Sequence, residues 1–140
     1  MRFWDTSALA PLLVAEPRTA RARELLELDP DLAAWWGTPV ECWSVLSRRA
    51  REGALSAMDE DAAAARLEVL RGAWYEVLPS EEVRARARRL LRLHPLRAAD
   101  ALLLAAALVW AAGEEAAEFV SADGRLCAAA RLEGLAVVRL

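Results

Sequence analysis

Four carboxylates occupy positions where acidic side chains could act together: Asp5, Glu41, Asp100 and Asp123. Two carboxylates about 5 Å apart, at an effective dielectric constant of about 20, repel each other by about 3 kcal/mol. A cluster of four therefore requires bound cations or raised pKa values. Oxygen ligands suit Mg²⁺ or Mn²⁺. Such ions support hydrolysis of a phosphodiester, because they polarise the phosphate, activate water and stabilise the leaving oxygen.

Each acid also has a purely structural interpretation. Asp5 could cap the first helix, Glu41 could complete a capping box with Thr38, Asp100 could complement a helix dipole, and Asp123 could belong to an ordinary turn. The combination favours a shared site. Asp100 is the only charge in the apolar run AADALLLAAALVWAA, and Asp123 follows directly from the apolar segment FVSA.

Short apolar runs alternate with helical patterns along the chain, and these elements must position the acids. The patterns predict strands at 2–4, 32–36, 74–77, 118–121 and 136–139. They predict helices at 7–15, 19–28, 38–53, 56–71, 81–93, 97–112 and 125–132. Strands separated by helices imply an α/β three-layer sandwich, with a central, mostly parallel sheet of about five strands flanked by helices. Ligands of such folds bind beyond the carboxyl ends of the strands.

Two helix starts carry capping signals. Thr38 is the predicted cap of a helix whose first residue is Pro39, with Glu41 at the capping-box spacing. Ser56 is the predicted cap of the next helix, with Asp59 at the same spacing. The first of these helices would hold Glu41 in its first turn, next to the end of the second strand.

Composition limits the classes of function. The chain has 140 residues, of which 56% are hydrophobic, so we expect one domain over residues 1–140. Every basic residue except His94 is an arginine. The lack of lysine excludes a Walker-A phosphate loop and argues against receiver domains and haloacid-dehalogenase phosphatases. A single histidine argues against a histidine-rich zinc site and a Ser-His-Asp triad.

The compartment follows from similar observations. Cys42 and Cys127 match no metal or redox spacing, which favours a reducing cytosol. Asp5 interrupts the first apolar run, so the N-terminus does not have the layout of a signal peptide. The apolar stretch 101–112 is short of the ~20 residues that a membrane span needs. We therefore expect a cytoplasmic protein without a membrane segment.

Four segments resemble the motifs of one family in the right order. These are FWDTSALAPLL, TPVECWSVLSRRAREG, LRAADALLLAAAL and FVSADGRLCAAARLEGLAVVRL. The chain resembles PIN domains, and within them the VapC toxins of bacterial toxin–antitoxin pairs. The resemblance spans nearly the whole chain, although residues 54–94 carry no signature beyond their helix pattern.

The resemblance implies an endoribonuclease that depends on Mg²⁺ or Mn²⁺, with RNA as substrate, a homodimeric state and a cognate antitoxin protein. The residues that would hold the metal and act in catalysis are Asp5, Glu41, Asp100 and Asp123, and those that would line the site are Thr6, Ser7 and Ser121. The alternatives are an RNA-processing or DNA-directed PIN nuclease, or a PIN module that binds without catalysis. The presence of all four acids argues against the last.

Other residues have weaker signals. Arg97 and Arg125, close to Asp100 and Asp123, are candidate phosphate contacts. The arginine stripe of the helix 81–93 is interpreted as a solvated face, with a phosphate-binding flank as the alternative; its members are Arg84, Arg88 and Arg92. The tryptophans are interpreted as packing residues of the core or of a dimer interface rather than as stacking platforms for bases; they include Trp35, Trp36, Trp43 and Trp110. We expect the homodimer to form through helices.

Overall fold

The computed structural model describes residues 1–114 and 116–140. Its centre is a five-stranded sheet in the order β3-β2-β1-β4-β5, and every neighbouring pair is parallel. The strands are β1 (Arg2–Trp4), β2 (Leu32–Trp35), β3 (Tyr75–Val77), β4 (Glu118–Ser121) and β5 (Ala136–Arg139). The fully parallel sheet confirms the predicted fold class. Because the strands are parallel, all of their carboxyl ends lie at one edge.

Within the described residues, seven helices connect the strands and cover both faces of the sheet. They are α1 (Thr6–Leu13), α2 (Thr19–Leu28), α3 (Thr38–Arg51), α4 (Ala57–Arg71), α5 (Glu81–Leu93), α6 (Ala98–Trp110) and α7 (Gly124–Leu132). Helices α1 to α4 pack on one face, and α5 to α7 pack on the other. Among the residues that the structure describes, no helix is long and apolar enough to cross a membrane.

The alternation of side chains along the strands divides the interior into two cores. In β1, Phe3 faces the core beneath α5 to α7, whereas Trp4 faces the core beneath α1 to α4. Phe119 and Val120 of β4 divide in the same way. Successive residues of a strand point to opposite faces, so consecutive apolar residues are what a sheet covered on both sides requires. This pattern produces the three layers.

The predicted helices and strands are all present, and none of their ends differs from the prediction by more than two residues. The start of α3 is the instructive difference. Gly37, not Thr38, occupies the cap position, and no side chain caps the helix. Thr38 is fully buried at the first helical position, so its hydroxyl cannot form the predicted capping box with Glu41. The second predicted box is confirmed, because Ser56 accepts a hydrogen bond from the Asp59 amide at 3.1 Å.

Candidate active site

The structure places three of the four acids just beyond the carboxyl ends of strands. Asp5 follows β1 directly, Asp123 lies two residues after β4, and Glu41 lies in the first turn of α3, which follows β2. Asp100 lies in the first turn of α6 and is close enough to Glu41 for their charges to interact. These four side chains therefore stand near one another at one edge of the sheet.

Asp5 is held in place by two hydroxyl groups. Ser7 and Ser121 both donate hydrogen bonds to its Oδ2 atom, at 2.5 and 2.6 Å. Asp5 occupies the cap position of α1 as the structural interpretation expects, but its side chain forms no capping hydrogen bond. Its own amide donates to the Val120 carbonyl at 3.0 Å, which fixes the backbone of Asp5 against β4. Both the backbone and the carboxylate of Asp5 are thus oriented by the segment around β4.

The two hydroxyls are themselves oriented by backbone amides. The Ala122 amide donates to Ser7 Oγ at 2.8 Å, and the Asp123 amide donates to Ser121 Oγ at 3.0 Å. Since each oxygen already accepts a hydrogen bond, its own hydrogen is free to be donated to Asp5. The loop after β4 therefore sets the direction of both hydrogen bonds that hold the carboxylate.

Burial makes the charged form of Asp5 costly. The residue is 5% exposed, and this desolvation raises the pKa of its carboxyl group above the usual value. The hydroxyls of Ser121 and Ser7 oppose the rise, and the negative charge of Asp123 adds to it. Asp5 is thus a carboxylate that its surroundings orient well but stabilise poorly as an anion, which is a common property of functional sites.

Glu41 shares this character. Thr6, which is buried, donates a hydrogen bond from Oγ1 to Glu41 Oε2 at 2.6 Å. Partial burial raises the pKa of Glu41, Thr6 opposes that rise, and the charges of Asp5 and Asp100 increase it. Two acids with raised pKa values, each within reach of the charge of another acid, are destabilised together in the absence of a positive charge.

Asp123 and Asp100 have additional structural contacts. Asp123 caps α7, because its Oδ1 accepts hydrogen bonds from the amides of Arg125 and Leu126 at 2.8 and 3.0 Å. Asp100 accepts a longer bond from the Arg97 amide at 3.3 Å. Asp123 is therefore a helix cap rather than part of the ordinary turn considered for it, and its second carboxylate oxygen stays available for another ligand.

The oxygen donors at this edge fit a hard divalent cation. Carboxylate and hydroxyl oxygens are the donor set that Mg²⁺ and Mn²⁺ prefer, and a cation would relieve the raised pKa values of Asp5 and Glu41. Within residues 1–114 and 116–140, however, no three histidine, cysteine, aspartate or glutamate side chains are arranged to enclose a metal ion. The acids are near one another but do not form a closed cage of protein ligands.

The two candidate phosphate contacts are exposed. Arg97 directly precedes α6, and Arg125 lies in the first turn of α7. Each is therefore close in sequence to one of the acids and accessible to solvent. The backbone amides of Ala122 and Asp123 are site groups that the sequence did not predict, because every residue except proline carries an amide and only the folded loop decides where it points.

Comparisons with known proteins agree with this architecture. The sequence matches the PIN domain family over residues 2–132. No curated protein shows a significant sequence match.

Several solved structures have a similar fold. The sarcin–ricin-loop-cleaving toxin VapC20 of Mycobacterium tuberculosis superposes with a TM-score of 0.70 at 21% identity, covering 92% of this chain and 95% of the toxin. FitAcB of Neisseria gonorrhoeae gives a TM-score of 0.70 at 19% identity, covering 99% and 97%. A toxin–antitoxin complex of Klebsiella pneumoniae gives 0.64 at 17% identity, covering 99% and 96%. Because all three identities are below 25%, these comparisons show a similarity of fold alone.

Proposed function

Because this chain belongs to the PIN domain family, we propose that it is a divalent-metal-dependent endoribonuclease that hydrolyses RNA phosphodiester bonds. The observation that carries the proposal is the environment of Asp5. A buried carboxylate with a raised pKa, held by two hydroxyls and near the charge of Asp123, is unfavourable for folding alone. Such an arrangement is expected where a protein binds a cation for chemistry.

The four acids would hold the metal ion, Mg²⁺ or Mn²⁺. When bound, the metal would polarise the phosphate and activate the attacking water. Asp5 and Glu41 would provide preoriented oxygens, since Ser7, Ser121 and Thr6 already fix their directions. Asp100 and Asp123 would add negative charge at the rim and further oxygens.

The other site residues would position the substrate. Arg97 and Arg125 are exposed at the starts of α6 and α7, where their guanidinium groups can bind phosphates on either side of the cleaved bond. Thr6, Ser7 and Ser121 would act mainly through the acids, because their hydroxyl hydrogens already point at carboxylates. A negatively charged chain approaching four acids requires such cations nearby, since the net charge of the protein is −3.

We further propose that the ribonuclease is the toxin of a VapBC-type pair and acts in the cytoplasm with a cognate antitoxin protein. The support is the fold that it shares with a toxin that cleaves the sarcin–ricin loop and with a toxin–antitoxin complex.

Incubation of the purified protein with mixed RNAs tests the activity. We expect cleavage with Mg²⁺ or Mn²⁺, none with EDTA, and little cleavage of DNA of the same sequences. Cleavage of DNA in preference to RNA would favour a DNA-directed PIN nuclease, and cleavage confined to a precursor RNA would favour an RNA-processing enzyme. Binding of RNA without cleavage under all metal conditions would favour a non-catalytic module.

A homodimer is part of the proposal, and the exposed face of α3 is the surface that we assign to it. Val40 and Trp43 lie on that face with 58% and 40% of their surfaces exposed. Exposed apolar residues one helical turn apart are typical of an association surface. We expect the wild-type protein to be dimeric in light scattering and Val40→Glu to be monomeric. Val69→Glu on α4, where the same residue type is 76% exposed, serves as the control and should stay dimeric.

A further inference from the structure

A cavity of about 360 Å³ opens at the carboxyl end of β2. Its walls are mostly apolar and include Trp36, Leu102 and Val83. Its polar rim consists of Ser80 and the ion pair of Glu81 with Arg84, at the start of α5. Its volume lies at the lower end of the roughly 300–1,000 Å³ typical of small-molecule sites. This is the size and chemistry of a pocket for one flat, partly polar ring.

The position of the cavity connects it to the proposed active site. Trp36 follows β2 directly, and its chain leads within five residues to Glu41 on α3. Leu102 lies two residues after Asp100 on α6. The cavity thus lies at the same edge of the sheet as the acids, and its lining includes α6, the helix that carries Asp100. A substrate strand whose phosphate lies at the acids could place a neighbouring base over Trp36.

The ring of Trp36 is exposed and is held in one direction by its packing against Trp35. Half of its surface is exposed, and its ring packs edge-on against the buried Trp35, at an angle of 72° and a centroid distance of 6.4 Å. Gly37 in turn lies against Trp35, because a Cβ at this position would come within 2.5 Å of the indole Nε1. An exposed aromatic ring in a fixed direction loses little conformational entropy when a base stacks on it.

We propose that this cavity binds one unpaired nucleobase of the RNA substrate, stacked on Trp36, next to the scissile phosphate. This inference rests on the proposed ribonuclease function. Sequence-tolerant recognition of single strands combines aromatic stacking with nearby cations. Ser80 and Arg84 supply the polar contacts. Ser80 Oγ accepts the Val83 amide at 3.2 Å and keeps its hydrogen for a base acceptor. Arg84 is solvent-exposed in its pair with Glu81, so it can turn to a phosphate at little cost.

An abasic scan measures the proposed contact. The probe is a short single-stranded RNA centred on a bond that the wild-type protein cleaves, with one base removed at a time. Binding is measured by fluorescence anisotropy with Mg²⁺ in the Asp5→Asn background, so that the RNA stays intact. For the protein with Trp36 intact, we expect removal of the base at one position of the RNA to lower the affinity by about 5- to 150-fold, which is the range for one stacked base.

Adding Trp36→Ala should weaken binding of the intact RNA by a similar factor and abolish the sensitivity to the missing base at that one position. Trp36→Phe keeps a ring and should restore most of the affinity. Tyr75→Ala is the matched control, because Tyr75 is equally exposed but lies at the opposite, amino end of β3. It should bind like the background protein.

The dependence on salt separates stacking from charge. Trp36→Ala should leave the slope of log affinity against log salt unchanged, whereas Arg97→Ala should lower it by about the 0.7 expected for one phosphate contact on a single strand. Equal sensitivity to abasic sites with and without Trp36 would overturn the inference. Conversion of a dimer to a monomer by Trp36→Ala would also overturn it, in favour of a subunit contact. If the wild-type protein neither cleaves nor binds any RNA, the proposed function itself fails.

Discussion

Asp5 is a carboxylate whose surroundings orient it for binding and at the same time disfavour its charge. Asp5→Asn keeps both hydroxyl contacts, because Ser7 and Ser121 donate to the same oxygen, which the amide of asparagine also provides. We expect RNA cleavage to fall by more than the roughly 10–100-fold typical for residues that only support a metal ligand. Circular dichroism should show an unchanged fold. Full activity in the folded variant would contradict the metal-nuclease proposal.

The same substitution should change stability in a pH-dependent way. A carboxyl group whose folded-state pKa is raised contributes full stability below its unfolded pKa, about 3.9 for aspartate, and loses it as the pH rises through the folded value. In EDTA at neutral pH, Asp5→Asn should therefore be more stable than the wild type, by about 1 kcal/mol as for other stabilising substitutions. Thermal melts across the pH range should show this gain disappearing in acid.

His94 is engaged in structure. Its Nε2 lies 2.7 Å from Glu133 Oε1, and Arg89 binds the same glutamate at 2.6 Å, which ties the end of α5 to the end of α7. His94→Ala should leave RNA cleavage within about twofold of wild type. It should lower the free energy of unfolding by about 1–3 kcal/mol, because Glu133 loses a partner in a mostly buried position. Loss of cleavage in a folded His94→Ala protein would indicate histidine chemistry instead.

At the level of elements, the junction between β2 and α3 depends on one glycine. Gly37→Ala would place a methyl group 2.5 Å from the buried indole of Trp35, so one of them must move. We expect a loss of about 1–3 kcal/mol in urea unfolding, the usual cost of overpacking.

Gly72→Ala is the matched control for that experiment. Gly72 also lies at a helix end, but its φ is −64° and the nearest atoms to an added Cβ are 3.5 Å away. Alanine there should be neutral or stabilise by about 0.4–1 kcal/mol, because it restricts the unfolded chain. Equal losses at both glycines would mean that contact with Trp35 is not the cause.

The sequence predicted the elements well because their signals are local. Buried strands appear as short apolar runs, and the capping box of α4 needs only two residues of the right type. The predicted cap of α3 was wrong by one residue, because Thr38 has the right side chain for a cap but is buried in the interior. The choice between Gly37 and Thr38 depends on packing around Trp35, which local propensity does not contain.

The placement of the acids near one edge follows from the rule for parallel sheets, but their individual contacts do not. For Asp123 the sequence left open an ordinary turn or a site carboxylate, and the folded chain shows a helix cap in place of the turn. The sequence also could not reveal that the amides of Ala122 and Asp123 orient the two serines. Trp36 was interpreted as a packing residue, because exposure at a strand end depends on neighbours that are distant in sequence.

For the molecule as a whole, metal binding should be linked to folding. A cation that binds the acids only in the folded protein stabilises it, by about 2.7 kcal/mol at a concentration one hundred times its dissociation constant. We expect Mg²⁺ or Mn²⁺ to raise the melting temperature and Asp100→Asn to reduce that rise. Calorimetry with and without metal measures both. A melting temperature that does not respond to millimolar metal would argue strongly against the site.

The pairing of β1 with β4 also has a consequence for biosynthesis. Asp5 leaves the ribosome 115 residues before Val120, which fixes its backbone, and 116 residues before Ser121, which donates to its carboxylate. A nascent chain that ends before β4 already contains Asp5, Glu41 and Asp100 but lacks the contacts that orient the first of them. Ribosome-bound chains of increasing length should therefore stay inactive on RNA until β4 has emerged. Cleavage by chains that end before residue 118 would show that Asp5 needs no support from β4.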